Sequence, residues 1–313
     1  MALIRYAILA LGALALSACD LAEQSEPAPS PRARPDSLGP AVSPESERLA
    51  AFYAAREARL IAAGKLRQDY APTDAPFDAN TLARNFRRIA LYDEYRPDAP
   101  GLVAEETVSQ LRRWQKPVTI GVYHGPTTPA AQRRRDISEV RSFARRLGAI
   151  TGLDVSFTSV ANANFVVLFL NRDEMLTEPE KLRLDLPIMN NEVLRGLETL
   201  PDEIDCIAYG LTSRAPPLGY VGSIVAIRAE HAPRTRRSCI HEEMTQALGL
   251  ANDNPNIRPS IFNDDEEFAL LTRHDELLLK MLYDPRLRDG MTPETQGPIL
   301  LEVARDAMRQ SRI

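Results

Sequence analysis

Apolar residues recur along the chain at two spacings, one typical of helices and the other typical of strands. Helical spacing marks residues 46–63 and residues 81–90, where Leu82, Phe86 and Ile89 share one face. Strand-like patterns mark five segments, which are residues 117–123, 153–158, 164–170, 206–211 and 222–228. Further helices are predicted for residues 104–114, 131–150, 189–199 and 238–248. The alternation predicts an α/β (α+β) fold in which helices cover a mixed sheet.

Two later helices have characteristic first residues. Thr272 precedes a helical pattern with Asp275 three positions on, which is the spacing of a capping box. Pro293 stands at the start of the last helix, where its fixed φ angle is favourable. The pattern therefore predicts a helical region at residues 46–116, an α/β domain at residues 117–291 and a C-terminal helix at residues 292–313.

The N-terminus has the pattern of an export signal. Within residues 1–18, one positive charge at Arg5 precedes a short apolar run. The run ends in Leu16-Ser17-Ala18-Cys19, which resembles the lipobox of bacterial lipoproteins. The resemblance implies cleavage before Cys19 and acylation of its thiol, which would anchor the protein in the bacterial envelope, facing the periplasm. A secretory signal with a chance cysteine is the alternative, and the choice between inner and outer membrane stays open. Residues 19–45 are rich in proline, as in an extended tether.

Composition and charge narrow the possible partners. The chain has 313 residues, a net charge of -5 and a pI of about 5.6, so nothing favours nucleic-acid binding. Apart from Cys19, the cysteines are Cys206 and Cys239. In an oxidising periplasm these two are expected to form a disulfide, and a pair of buried thiols is the alternative.

The most specific stretch is the run CIHEEMTQALGL, which begins at Cys239. Zinc peptidases place two histidines four residues apart on a helix, with a glutamate after the first as general base. In one register His241 and Glu242 match this motif directly, and Thr245 stands where the second histidine belongs. His241 is then the candidate metal ligand.

The other register is preferred, because it places Gly249 where the helix of a metzincin breaks. Glu242 and Gln246 then occupy the first two ligand positions, Asn252 occupies the third, and Glu243 is the candidate general base. Oxygen ligands of this kind suit Ca²⁺ or Mg²⁺ better than Zn²⁺. No cofactor is expected, because Glu242, Glu243 and Gln246 are expected to form a hydrogen-bonded remnant or a solvated helix face, and a weakly held divalent metal is the alternative.

Downstream segments extend this resemblance. Ser260-Ile261-Phe262 resembles the Met-turn of metzincins with phenylalanine for methionine, and the segment from Leu271 to Asp275 resembles their closing helix. Several longer motifs resemble a proteobacterial lipoprotein family, domain of unknown function 2927; they are LARNF from Leu82, CIxEE from Cys239 and SIFND from Ser260. That resemblance implies envelope lipoproteins with no established reaction.

Three functions are compatible with these observations. The preferred one is a degenerate, non-catalytic zincin-like domain that binds an envelope protein or peptide through its former cleft. Residues 222–228 are the predicted open edge strand that would accept an extended peptide. The alternatives are a noncanonical metal-dependent peptidase that uses Glu243 as general base, and a purely structural envelope protein.

Replacing Cys19 with alanine should abolish acylation, because the thiol is the only atom that can carry the diacylglycerol. Metabolic labelling with a radioactive fatty acid should give a labelled, processed wild-type band and an unlabelled, unprocessed Cys19→Ala band. Normal processing and membrane attachment of the variant would show that the lipobox assignment is wrong.

Overall fold

The structure, a computed structural model, describes residues 41–95, 104–177, 179–213, 215 and 218–310. The predicted signal peptide, Cys19 and nearly all of the predicted tether lie outside these residues. The helices in the described part are α1 (Pro44–Ala62), α2 (Ala79–Ala90), α3 (Ala130–Thr151), α4 (Arg172–Thr177), α5 (Pro179–Asp185), α6 (Asn191–Glu198), α7 (Pro233–Gln246), α8 (Arg273–Leu282) and α9 (Pro293–Gln310). The strands are β1 (Tyr92–Tyr95), β2 (Ala104–Val108), β3 (Val118–His124), β4 (Val155–Phe157), β5 (Phe165–Leu170), β6 (Cys206–Thr212) and β7 (Tyr220–Arg228). None of the described helices is long and apolar enough to cross a membrane.

Five strands form one mixed sheet in the order β4-β3-β5-β7-β6. The first four are parallel to their neighbours, and β6 runs antiparallel to β7. Strands β1 and β2 form a separate antiparallel pair. The mixed sheet with helices on both faces confirms the predicted α/β class.

The predicted edge strand is wrong. Residues 222–228 belong to β7, which pairs with β5 on one side and with β6 on the other. Eight of its nine residues are buried, as expected for an inner strand that is apolar on both faces. The edge strand on this side of the sheet is β6.

The predicted helix at residues 104–114 is also wrong at its start. Residues Ala104–Val108 form β2, and Val108 pairs with Tyr92 of β1. The segment AEETV has helix-forming residues, but pairing with β1 overrides that local preference. Strand β1 had no counterpart in the sequence-based prediction.

Strand β5 divides the hydrophobic core in two. All of its six residues are buried. Phe165, Val167 and Phe169 pack on the side of α3, α7 and α8, whereas Val166 and Leu168 pack on the side of α4 to α6. The alternation follows from the strand geometry, in which successive side chains point to opposite faces. The sheet therefore lies between two helical layers.

Helix α7 is enclosed on most of its circumference. Near its start Arg236 forms a bidentate ion pair with Asp136 of α3, and both contacts measure 2.8 Å. The same guanidinium donates to the Ala229 carbonyl and lies 4.7 Å from the ring centroid of Phe169. His124, at the end of β3, completes the group, with its Nε2 at 3.1 Å from Asp136. These contacts fix α7 against the carboxyl ends of the central strands.

The C-terminal end of α7 is held by contacts with the chain before β3. The Trp114 indole N–H donates to the Ala247 carbonyl at 2.9 Å. Gly249 follows with a φ of 123°, and a Cβ there would lie 2.2 Å from the Arg112 carbonyl oxygen. Only glycine fits this close approach.

The predicted capping box at the start of α8 is confirmed. Thr272 and Asp275 exchange the two hydrogen bonds of the motif. Asp275 is fully buried and also accepts from the Ser260 hydroxyl at 2.5 Å and from the Ile261 N–H at 3.1 Å. One carboxylate thus ties the turn after α7 to the following helix.

The predicted disulfide is confirmed. Cys206 at the start of β6 is bonded to Cys239 in α7, with a Cα–Cα distance of 5.8 Å. The bond joins the edge strand of the sheet to the helix beneath it.

Replacing both Cys206 and Cys239 with alanine should lower the free energy of unfolding by about 3–4 kcal/mol, because the bond closes a long loop in the unfolded chain. Urea unfolding followed by circular dichroism measures the change. Alkylation with and without reductant provides the control, since both thiols should become reactive only after reduction. An unchanged urea midpoint would contradict the expectation.

Candidate functional site

The side chains of α7 that do not enter the core line a cavity. Glu242, Glu243 and Gln246 face this space of about 1350 Å³, and every residue of β6 lines its opposite wall. The ends of β1 and the chain after α7 close the remaining sides. Ten acidic residues and three arginines line the cavity, so acidic groups outnumber basic ones.

Glu243 is the most buried of these acids, with an exposed fraction of 5%. Among the described groups, none hydrogen-bonds to its Oε2 atom. Burial raises the pKa of Glu243 well above its usual range, and the charges of Asp253 and Glu94 raise it further. A carboxyl group in this setting retains its proton at a pH where a solvated glutamate has lost it.

Three more acids surround Glu243. Burial and the charge of Asp253 raise the pKa of Glu242, which remains partly accessible from the cavity. Burial and the charge of Glu94 likewise raise the pKa of Asp253, which accepts a hydrogen bond from Gln246 Nε2 at 2.9 Å. Burial raises the pKa of Glu94 to about 7. We call Glu94, Glu242, Glu243 and Asp253 the carboxyl cluster.

Two of the arginines in the lining are paired with other acids. Arg56 pairs with Asp205 and, at 2.7 Å, with Glu266. Arg112 pairs with Asp93. Across the described residues, no lysine or arginine lies within ion-pair distance of the carboxyl cluster. No basic side chain in the described part of the chain therefore pairs with the cluster.

The donor atoms do not fit a peptidase zinc site. Cys206 Sγ and one carboxylate oxygen each from Glu242 and Glu243 lie within 4.8 Å of one another. The sulfur is bonded to Cys239, so it supplies no thiolate. The remaining donors are carboxylates and the Gln246 amide, whereas zinc in peptidases is held mainly by histidine nitrogens.

His241, the ligand candidate of the first register, lies on the other side of α7. Its exposed fraction is 3%, and its ring stacks on Phe143 with centroids 4.0 Å apart. Nδ1 accepts from the Leu271 N–H at 3.3 Å, and Nε2 lies 3.6 Å from Glu139. Burial lowers the pKa of His241. The structure does not bring this ring together with the carboxyl cluster.

Asn252, the third ligand position of the second register, is also directed elsewhere. Its Nδ2 donates to the Arg88 carbonyl at 2.9 Å and to Glu106 Oε2 at 3.1 Å, and its exposed fraction is 1%. The next residue, Asp253, takes its place beside Gln246. The second register thus correctly groups Glu242, Glu243 and Gln246. It names Asn252 as the next member, whereas the structure places the adjacent residue Asp253 there.

Two acids of the cluster were not singled out from the sequence. Asp253 is adjacent to the predicted position, and the ANDN stretch after Gly249 offered it as a candidate oxygen donor. Glu94 lies in β1, far from α7 in the sequence, and no local motif marks it. Its role depends on the pairing of β1 with β2, which was not predicted.

The raised pKa values predict that stability falls as the pH rises from about 5 to about 8. The folded state retains protons on the carboxyl cluster that the unfolded chain releases near pH 4.5, and Glu94 gives its proton up only near pH 7. Replacing Glu243 with glutamine should flatten the decline, because the amide needs no proton. Thermal unfolding across this range measures the slope.

The matched control is Glu302→Gln in α9, whose carboxylate is 71% exposed. This variant should keep the wild-type slope. A stability that rises over the same range in the wild-type protein would contradict the protonation of the cluster.

Comparison with known proteins places the chain in a family. A family model described as protein of unknown function (DUF2927) matches residues 79–302. Those residues include α7, β6 and the whole carboxyl cluster. No curated protein matches the chain significantly. The family match confirms the resemblance to domain of unknown function 2927, and the chain belongs to the DUF2927 family.

Proposed function

We propose that the protein is a lipid-anchored, periplasm-facing binding protein that takes an extended polypeptide segment along the outer edge of β6 and does not cleave it. The membrane anchor is Cys19, and the occupant is a segment of an envelope protein or a peptide. The cavity between β6 and α7 is the binding site.

The observation that carries the proposal is the position of β6. Its inner edge pairs with β7, and no strand among the described residues pairs with its outer edge. All seven residues of β6, Cys206 to Thr212, line the cavity. An unpaired edge presents a row of main-chain donors and acceptors, which an added strand satisfies. In β6 this row faces a space large enough to hold such a strand.

The charge of the cavity favours a particular kind of segment. Six acids of the lining lie outside the carboxyl cluster and outnumber the three arginines of the lining, so the cavity attracts a chain that carries lysine or arginine side chains. The alternating pattern of a strand directs every second side chain of such a segment to the same side. The acidic lining thus supplies selectivity, and the main chain of β6 supplies affinity.

The departure from the zinc motif supports a non-catalytic role. The segment resembles a metzincin helix with its glycine stop and following turn, yet the ligand positions hold Glu242 and Gln246. Without histidine-bound zinc to activate a water molecule, a peptide in such a cleft lacks the nucleophile that zinc peptidases use.

One observation favours the alternative, a noncanonical metal-dependent peptidase. Glu243 faces the cavity with an oxygen that no described group engages, and its raised pKa suits a general acid or base. The two functions differ in whether a bound peptide is recovered intact.

Selection from a displayed library of random decapeptides, using the full-length protein, tests the proposal. We expect selected peptides to be rich in lysine and arginine and to slow amide hydrogen exchange at β6. Strand β4, the other edge of the sheet, is the internal control and should exchange as before. Mass spectrometry after prolonged incubation should recover the peptide uncut.

Protection elsewhere, or the absence of any selected peptide, would contradict strand addition at β6. Cleavage that Glu243→Gln abolishes would instead establish the peptidase.

A further inference from the structure

The carboxyl cluster collects acids from three separate parts of the fold. Glu94 comes from β1, Glu242 and Glu243 come from α7, and Asp253 comes from the chain that follows α7. We propose that Glu242 and Glu243, with Gln246 beside them, form a binding site for a hard divalent cation, with Ca²⁺ preferred over Mg²⁺. Glu94 and Asp253 add to the attraction of the site for a cation. The proposal does not rest on the binding of a peptide.

The unpartnered oxygen of Glu243 supports a cation site independently of how many acids lie nearby. The exposed fraction of Glu243 is only 5%, and no described donor reaches its Oε2 atom. A buried polar atom without a partner costs free energy, and most such atoms in proteins are satisfied by protein, water or an ion. This oxygen lies in the wall of the acidic cavity, where a cation would satisfy it.

The spacing of the oxygens suits an ion of calcium size. One oxygen each from Glu242 and Glu243 lies within 4.8 Å of the other, so one ion can contact both at about 2.4 Å, within the 2.3–2.6 Å range of Ca²⁺. Cys206 Sγ, the third atom of that group, is blocked by its bond to Cys239. The carboxylates are therefore the donors at this point.

The orientation of Gln246 adds a neutral oxygen. Its Nε2 donates to Asp253 Oδ1 at 2.9 Å, and no described group donates to its carbonyl oxygen. The amide thus holds the Asp253 carboxylate in place and leaves its own oxygen available. Carboxylates together with an amide carbonyl are the ligand set that calcium prefers.

The absence of a basic partner among the described residues argues for an ion from outside. Arg56 and Arg112, two arginines of the lining, are engaged by Asp205, Glu266 and Asp93. A divalent ion balances two charges at once. Calcium accepts six to eight oxygens in irregular geometry, with waters completing its shell, whereas Mg²⁺ demands a near-ideal octahedron. A wide cavity that leaves room for several coordinated waters therefore favours Ca²⁺.

Isothermal titration of the full-length protein with CaCl₂, after removal of metal by a chelator, tests the site. We expect one Ca²⁺ bound per chain, and a rise in the thermal unfolding temperature that is larger with Ca²⁺ than with Mg²⁺. No binding heat and no thermal shift at millimolar Ca²⁺ would overturn the proposal.

Two variants locate the ion. Glu242→Gln and Glu243→Gln preserve side-chain shape and should each weaken Ca²⁺ binding by at least about tenfold, because each removes one carboxylate ligand. Both replace a buried carboxyl group that no described basic side chain pairs with, so the metal-free variants should be at least as stable as the wild type. That comparison separates lost binding from lost folding.

The control variant is Glu203→Gln. Glu203 lines the same cavity but is exposed and lies outside the carboxyl cluster. Its loss should weaken binding by less than about threefold, because charges at exposed positions are largely screened. Equal weakening by all three variants would show diffuse attraction in place of a site, and would overturn the proposal.

Discussion

Helix α7 keeps its position through the buried ion pair between Arg236 and Asp136. The two side chains are 5% and 2% exposed, and their geometry is bidentate. Removing one partner of such a pair leaves an uncompensated buried charge, which costs about 3–5 kcal/mol. Because the same arginine also binds the Ala229 carbonyl after β7, the pair fixes helix, sheet and α3 together. Everything that α7 presents to the cavity depends on this arrangement.

A helix held in this way can carry side chains whose burial is unfavourable. Glu242 and Glu243 lie in the half of α7 that follows the ion pair, and no described cation balances them. Burying these acids costs free energy, and the burial of the apolar side chains Ile240 and Met244, which are 2% and 0% exposed, offsets it. The molecule thus maintains an unfavourable concentration of acids at a fixed place. Such strain is typical of sites that function through binding.

The sequence predicted those parts of the fold that are encoded locally. The apolar run of β5, the capping box of Thr272 and Asp275 and the stop at Gly249 all depend on neighbouring residues, and each prediction is confirmed. Strand β2 was missed because its AEETV sequence favours a helix unless β1 lies beside it.

In the cavity, too, only the locally encoded residues could be predicted from the sequence. Glu242, Glu243 and Gln246 follow from helical periodicity, whereas Glu94 joins them only through tertiary structure. His241 and Glu242 are adjacent in the sequence, yet one turns to the core and the other to the cavity. One residue advances a helix by about 100°, so a motif read one position out of phase selects the wrong face.

The disulfide gives β6 a mechanical polarity. At the Thr212 end, the strand is held to the sheet by its ladder of hydrogen bonds with β7 and by the short connection that leads to Tyr220. At the Cys206 end, a covalent bond ties it to α7. A pull on the Thr212 end opens the ladder one pair at a time, because each hydrogen bond is loaded in turn. The opening stops at Cys206, where the load passes directly into α7 and from there, through Arg236, into the centre of the fold.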